Sequence, residues 1–381
     1  MRERRYFRAF YFLYFASWSG FVVFRNAHFE SVGLSGVEMG TVGFLLRVAG
    51  IFALPGWGLL SDRFGARRRI LLVGVAMSGV LGLLYPRVAS AFPLLAAVTV
   101  AFAVFRAPIR PVANSMVLST GLSYGSVRAY GSLAFGVAAL GVGLVSSRVG
   151  SAVVFYAFAV GMAALAVILF RVPVRSRPPT ESVGLRAASL VTNRNFAALL
   201  VAAFLMGAIL PAGSAYLSVY VRSIGGTDAI TGLSVAAKTA GEAVVFLSAV
   251  RFATTYRRLL VVGAGCHALT FGFYATSPTP TLVVAMQVLL GVGYAAFMLA
   301  AVNLAHELAP ASLESTAQTF LTGFGLAAGS ALGELASGRL VDLVGVQSMY
   351  AYATVVGLAV VAVSGLLDGS LGTGDSFPAD G

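Results

Sequence analysis

Apolar stretches of about 20 residues recur along the whole of this 381-residue chain. Each is long enough to cross the hydrocarbon core of a bilayer, and nothing else limits the fold as strongly. Only 10% of the residues are charged against 58% apolar. A water-facing domain draws on roughly 25% charged residues, so this chain has too few to cover a soluble surface. The 44 glycines fit a membrane bundle, where small residues let helices approach closely. The chain reads as an all-α integral membrane protein with spans near 8–29, 38–60, 70–87, 92–116, 128–147, 151–170, 196–221, 229–250, 258–276, 281–304, 316–339 and 347–367.

Loops are short except for 171–195, which holds Pro173, Pro178, Pro179 and five arginines. It divides an N-terminal six-helix half (1–170) from a C-terminal half (196–368), and the Gly- and Asp-rich tail 369–381 is expected to be disordered. Met1 to Gly20 resembles a signal peptide but lacks a small-x-small cleavage site, so an uncleaved first helix is expected. The net charge of +12 is not a nucleic-acid footprint. With both termini inside, the inner segments hold seventeen arginines, from Arg2 through the cluster Arg67, Arg68 and Arg69 to Arg258. The outer segments hold four: Arg87, Arg148, Arg222 and Arg339. That asymmetry is the positive-inside pattern and supports an even number of spans with cytoplasmic termini. The single Cys266 rules out an intrachain disulfide and a thiolate metal cluster. The halves also echo each other: Ser31-Val32-Gly33 enters span 2, and Ser223-Ile224-Gly225 enters span 8.

Between spans 2 and 3 runs Gly58-Leu59-Leu60-Ser61-Asp62-Arg63-Phe64-Gly65-Ala66-Arg67-Arg68-Arg69. It resembles the loop signature of the major facilitator superfamily. Further pieces extend the likeness over about residues 8 to 366: Tyr11 to Ser17, Arg128-Ala129-Tyr130-Gly131-Ser132, His306 to Pro310, Ser315 to Gln318, and Gly338-Arg339-Leu340-Val341-Asp342. Together they resemble the branch containing lactose permease, nucleoside–proton symporters and the 3-phenylpropionic acid permease. The resemblance implies twelve helices in two pseudo-symmetric halves, with a substrate site between them near midplane. It also implies that Gly58, Asp62, Arg63, Gly65, Arg67 and Arg68 form a gating loop that stabilises one access state. Two departures stand out. The second-half loop 251–258 lacks the acid and the glycines, and Gly291 occupies a position where related permeases often carry histidine.

Charges inside spans point to function, since each costs at least ~2.5–3.5 kcal/mol near the bilayer centre. They are Arg47, Arg106, Arg110, Lys238, Glu242 and Glu334, and all fall on spans that the resemblance assigns to the cavity and its flanks. Lys238 is the chain's one lysine. It can release a proton, which guanidinium cannot, and Glu242 lies on the same helical face. That pair and Glu334 are the expected proton-coupling groups; Glu334, beside the stripe Gly325, Gly329, Gly333 and Ser337, also reads as a structural ion-pair partner. Arg106 and Arg110 share a face beside Pro108 and Pro111 and suit a carboxylate or phosphate. Arg47 either joins them or pairs with Glu334 or Glu242. Gln287, Tyr216 and Asn303 are expected as polar donors to substrate. The expected activity is proton-coupled symport of a small organic anion, an aromatic or hydroxy acid, through alternating access. Sugar or nucleoside symport and drug export are the alternatives. No enzyme chemistry, cofactor, metal or nucleic-acid partner is expected. The partners are substrate, protons and the bilayer, and the protein is expected as a monomer in the plasma membrane.

Overall fold

The apolar runs fold as helices, and glycine makes the turns at one end of the bundle. The computed structural model describes residues 2–64, 67–119, 124–170, 190, 192–248, 255–276, 278–310 and 313–368. The first half comprises α1 (Arg2–Ser31), α2 (Gly36–Phe64), α3 (Arg67–Val88), α4 (Phe92–Arg106), α5 (Ile109–Ser119), α6 (Tyr124–Val149) and α7 (Val153–Leu169). The second comprises α8 (Arg194–Ile209), α9 (Leu217–Ser223), α10 (Asp228–Ser248), α11 (Tyr256–Ala275), α12 (Pro280–Glu307) and α13 (Glu314–Thr319). A π-helical segment, Phe320–Ala327, then leads into α14 (Ala328–Gly365), which breaks at Gly345. Among the described residues the helices are consistent with the twelve expected crossings, with α4 and α5 making one, α8 and α9 making one, and the final apolar stretch split at Gly345. Most of the 171–195 linker and the 369–381 tail lie outside the described residues.

Gly33, Gly150, Gly225 and Gly345 have φ of 89°, 94°, 83° and 82°, backbone that glycine alone adopts readily. Each closes a turn at the end of the bundle away from the N-terminus. Gly33 and Gly225 are 192 positions apart, and Gly150 and Gly345 are 195 apart. The short sequence echo is thus one part of a repeated turn geometry.

Each half has its own aromatic core. Phe21 stacks on Phe102 and meets Tyr85 and Phe155 edge-on in the first. Tyr220, Phe271, Tyr274 and Tyr350 form the second. The buried hydroxyls of Tyr220 and Tyr350 donate to the Tyr274 and Ala212 carbonyls at 2.6 and 2.8 Å, which offsets their burial. The halves meet chiefly where α2 packs on α14 and α6 packs on α10.

Proline shapes the fourth crossing. Pro108 has no N–H to donate to the Val104 carbonyl, and the chain turns at Ala107–Pro108 between α4 and α5. The Trp57 indole N–H, from α2, donates to that carbonyl at 2.8 Å instead. The break is therefore fixed by a neighbour, and it sits between Arg106 and Arg110.

Candidate functional site

A cavity of about 430 Å³ lies between the halves. Its walls differ in chemistry. Arg47 from α2, Arg106 from α4 and Arg110 from α5 supply cations on one side. Tyr14, Phe15 and Trp18 from α1, with Phe135 from α6, supply aromatic surface. The second half contributes Lys238, Thr239 and Glu242 from α10 and Tyr294 from α12. The lining residues of α1 and α2 lie about midway along those helices, and the charged side chains beyond them on the side away from the N-terminus, Arg25 and Glu334, are buried, so the cavity is shut off from that far face.

The polar groups are held by their neighbours. The Arg106 guanidinium lies 4.0 Å over the Trp18 ring, a cation–π contact, and donates to the Tyr14 hydroxyl at 3.4 Å. Lys238 and Glu242 form an ion pair one helical turn apart. The Lys238 ammonium also lies 4.5 Å from the Tyr294 ring centre. Gly291 makes this possible. A Cβ there would collide with the Lys238 carbonyl, so the glycine lets α12 approach α10 at the ion pair.

Beyond the cavity, toward the far face, the halves are tied shut. Glu334 on α14 is fully buried. Its Oε1 accepts from Arg25 on α1 at 2.8 Å and from Arg47 at 3.3 Å. Arg25 is 1% exposed, whereas Arg47 is 31% exposed and faces the cavity. The Tyr216 hydroxyl donates to the Glu334 carbonyl at 3.3 Å. Asp342 accepts from the Gly36 and Val37 amides at 2.6 and 2.8 Å, which caps the start of α2 with a carboxylate from the other half. Arg222 pairs with Asp228 at 2.7 Å and donates to the Ala27 carbonyl at 2.8 Å, and Ser218 donates to the Val23 carbonyl at 2.9 Å.

Of the residues singled out in the sequence, Arg47, Arg106, Arg110, Lys238 and Glu242 come together on this cavity. Glu334, Gln287, Tyr216 and Asn303 are not part of its lining. Glu334 and Tyr216 belong to the far-face closure, Gln287 is fully buried, and the Asn303 amide donates to the Leu299 carbonyl of its own helix at 2.7 Å. Glu334, Gln287 and Asn303 stand on the expected helices with their side chains turned elsewhere, and Tyr216 lies in the turn between α8 and α9. Tyr14 and Trp18 are the cavity residues that sequence reasoning passed over. In an aromatic-rich first span only their i, i+4 spacing set them apart, and that spacing suits a core equally well. In the gating loop, Gly58 is an exposed residue of α2, Arg63 lies in the last turn of that helix and Arg67 begins α3. Arg68 donates to the Phe170 carbonyl at the end of α7. Gly65 and the Asp62 side chain lie outside the described residues.

With this geometry in place, likeness to known proteins adds the family. The model of the MFS_1 like family matches residues 5–352. The chain belongs to that family. Maltose permease of Geobacillus stearothermophilus is 28% identical over 368 residues, 93% of either chain. The crystal structure of nucleoside transporter NupG superposes with a TM-score of 0.82 at 17% identity, covering 95% of this chain and 99% of its own. A D-xylose–proton symporter superposes at 0.72 with 13% identity, covering 95% and 96%. These structural likenesses show the fold. The protein is a multi-pass secondary transporter, not an enzyme.

Proposed function

We propose that the protein carries a small organic anion together with protons by alternating access, as a monomer in the plasma membrane with both termini in the cytoplasm. One observation carries this reading. Arg106, half-buried and without an acidic partner among the described residues, borders a cavity in which Arg47 is paired with Glu334, Arg110 is exposed, and Glu242, already engaged by Lys238, is the one carboxylate among the described lining residues. Cations out of bulk water without counter-charge are costly, and an anionic ligand supplies the missing charge. Arg106 and Arg110 form the primary anion site, with Arg47 beside them.

Glu242 is the proton carrier. When it takes a proton its ion pair with Lys238 is lost, and the freed ammonium adds to the positive field in the cavity. Proton and anion then favour each other's binding, which is the coupling that symport requires. Glu334, enclosed between two arginines, serves the far-face closure in this reading. The 58–68 loop, tied through Arg68 to the end of α7, steadies one access state.

A second reading, neutral sugar symport, is favoured by the likeness to maltose permease. Trp18, Tyr14 and Tyr294 would then stack and hydrogen-bond the substrate. Proteoliposome uptake of benzoate, lactate, maltose and uridine, with and without an inward proton gradient, separates the two. Acid accumulation under the gradient is expected. Glu242→Gln should lose that accumulation but retain exchange, and Arg106→Ala should lose acid transport. Normal accumulation by Glu242→Gln, or uptake confined to maltose, overturns this reading.

A further inference from the structure

One histidine of the far-face closure has no part in carrying the substrate or its coupled proton. His28, near the end of α1, is 6% exposed. Its ring meets Phe155 edge-on at 5.1 Å, and its Nδ1 lies 3.4 Å from the Ser151 hydroxyl. Its Nε2 is sealed from solvent and has no hydrogen-bond partner. These neighbours all belong to the first half. The second half brings a cation. Arg222 of α9 donates to the carbonyl of Ala27, the residue before His28, at 2.8 Å, and its charge acts on both His28 and Glu30.

The surroundings offer a charged imidazole no free acid. Asp228 on α10 accepts from Arg222 through both oxygens and from Ser146. Arg25, one turn back on α1, is a further cation and holds Glu334. Tyr85 on α3, stacked on Phe155, donates to Thr99. Glu30 is exposed, and residues two apart on a helix do not face each other. With the halves shut, a proton on His28 therefore sets a second cation beside Arg222 in a dry site, where like charges repel more strongly than in water. Parting α1 from α9 carries Arg222 away and admits water to the ring. A ligand that binds one of two states better shifts the population toward that state, and here the ligand is a proton. We propose that His28 is a proton-operated latch, which holds the far face shut when neutral and releases it when charged. With both termini in the cytoplasm, protons then open the cavity toward the side from which they enter. The latch rests on alternating access, and on neither the anion nor Glu242.

Ser90 and Thr276 are exposed in far-face turns of the first and second half. Nitroxides at Ser90→Cys and Thr276→Cys, in a Cys266→Ala background, report the gap between the halves by double electron–electron resonance on the full chain in lipid nanodiscs. The ratio of long-distance to short-distance populations should rise about tenfold from about pH 8 to about pH 5, the range in which imidazole titrates. His28→Gln should keep the short distance throughout. A chain with His267→Gln and His306→Gln retains His28 as its one histidine and should respond as the parent does, with no change made at His28. Glu242→Gln should respond as well, which separates the latch from the proton carrier. A parent chain with no shift overturns the latch, as does a shift that survives His28→Gln or is lost from the chain retaining only His28. A His28→Gln protein open at every pH makes the ring a packing element and also overturns it. A shift abolished by Glu242→Gln alone overturns the latch and leaves the carrier reading standing.

Discussion

A single carboxylate oxygen, Oε1 of Glu334, joins one arginine that is sealed from solvent to another that faces the cavity. Removing one partner of a buried ion pair leaves an uncompensated charge, at ~3–5 kcal/mol. Glu334→Gln should therefore lower the melting temperature sharply, because Arg25 would stay buried without an acid. Adding Arg25→Met should recover part of the loss, and a double variant no more stable than Glu334→Gln would refute the account. Residue by residue, the sequence revealed the expensive side chains and left their faces open. Glu334 was legible as a functional or structural charge from hydropathy alone. Its tie to Arg47 was one of several pairings considered, and its tie to Arg25, 309 positions away, was not visible. Gln287, Tyr216 and Asn303 show the same limit: a polar residue on a cavity-forming helix bonds wherever its face points, and that face depends on the neighbours.

Helices α2 and α14 close the far face through backbone as much as side chain. A Cβ at Gly36 or Gly40 would collide with the Gly338 or Glu334 carbonyl, and one at Gly43 would strike the Glu334 carboxyl. Small residues at such a crossing let helices touch without a side-chain layer. Asp342 then binds the free amides at the start of α2. Losing an N-cap costs about 0.5–2 kcal/mol, and here the cap also joins the two halves. Asp342→Ala should shift the protein away from its far-face-closed state and raise solvent access there. Faster alkylation of a cysteine placed at Ser218, fully buried in the closed state, would report the shift; an unchanged rate would dissociate the cap from closure. The Gly338 to Asp342 stretch was noticeable in the sequence as part of a family likeness. Its work as a cap in trans was not, because the amides it binds lie some 300 positions earlier. The π segment Phe320–Ala327 left no signal in the apolar pattern either. It differs from an α-helix only in hydrogen-bond register, and its Ala327 reaches the cavity.

At the scale of the molecule, the cavity lies about midway through the bundle, and paired charges, caps and glycine contacts close the end away from the N-terminus. Leu54→Cys, on the cavity wall, in a Cys266→Ala background, should react with a membrane-impermeant maleimide added to the face bearing the N-terminus and stay unreactive from the opposite face. Labelling from the far face alone would reverse this assignment. The sequence by itself determined a bundle of about twelve membrane helices, a short echo between the halves at Gly33 and Gly225, and the short set of charges that warranted a functional role. It could do so because hydrocarbon tolerates neither unsatisfied backbone nor unpaired charge, and both constraints act locally along the chain. Only the tertiary structure decided which charges share the cavity, that Trp18 and Tyr14 hold Arg106, and that Glu334 seals rather than lines. Those outcomes rest on helix rotation and on contacts between distant segments, and neither is written in the period of a nearly uniform apolar helix.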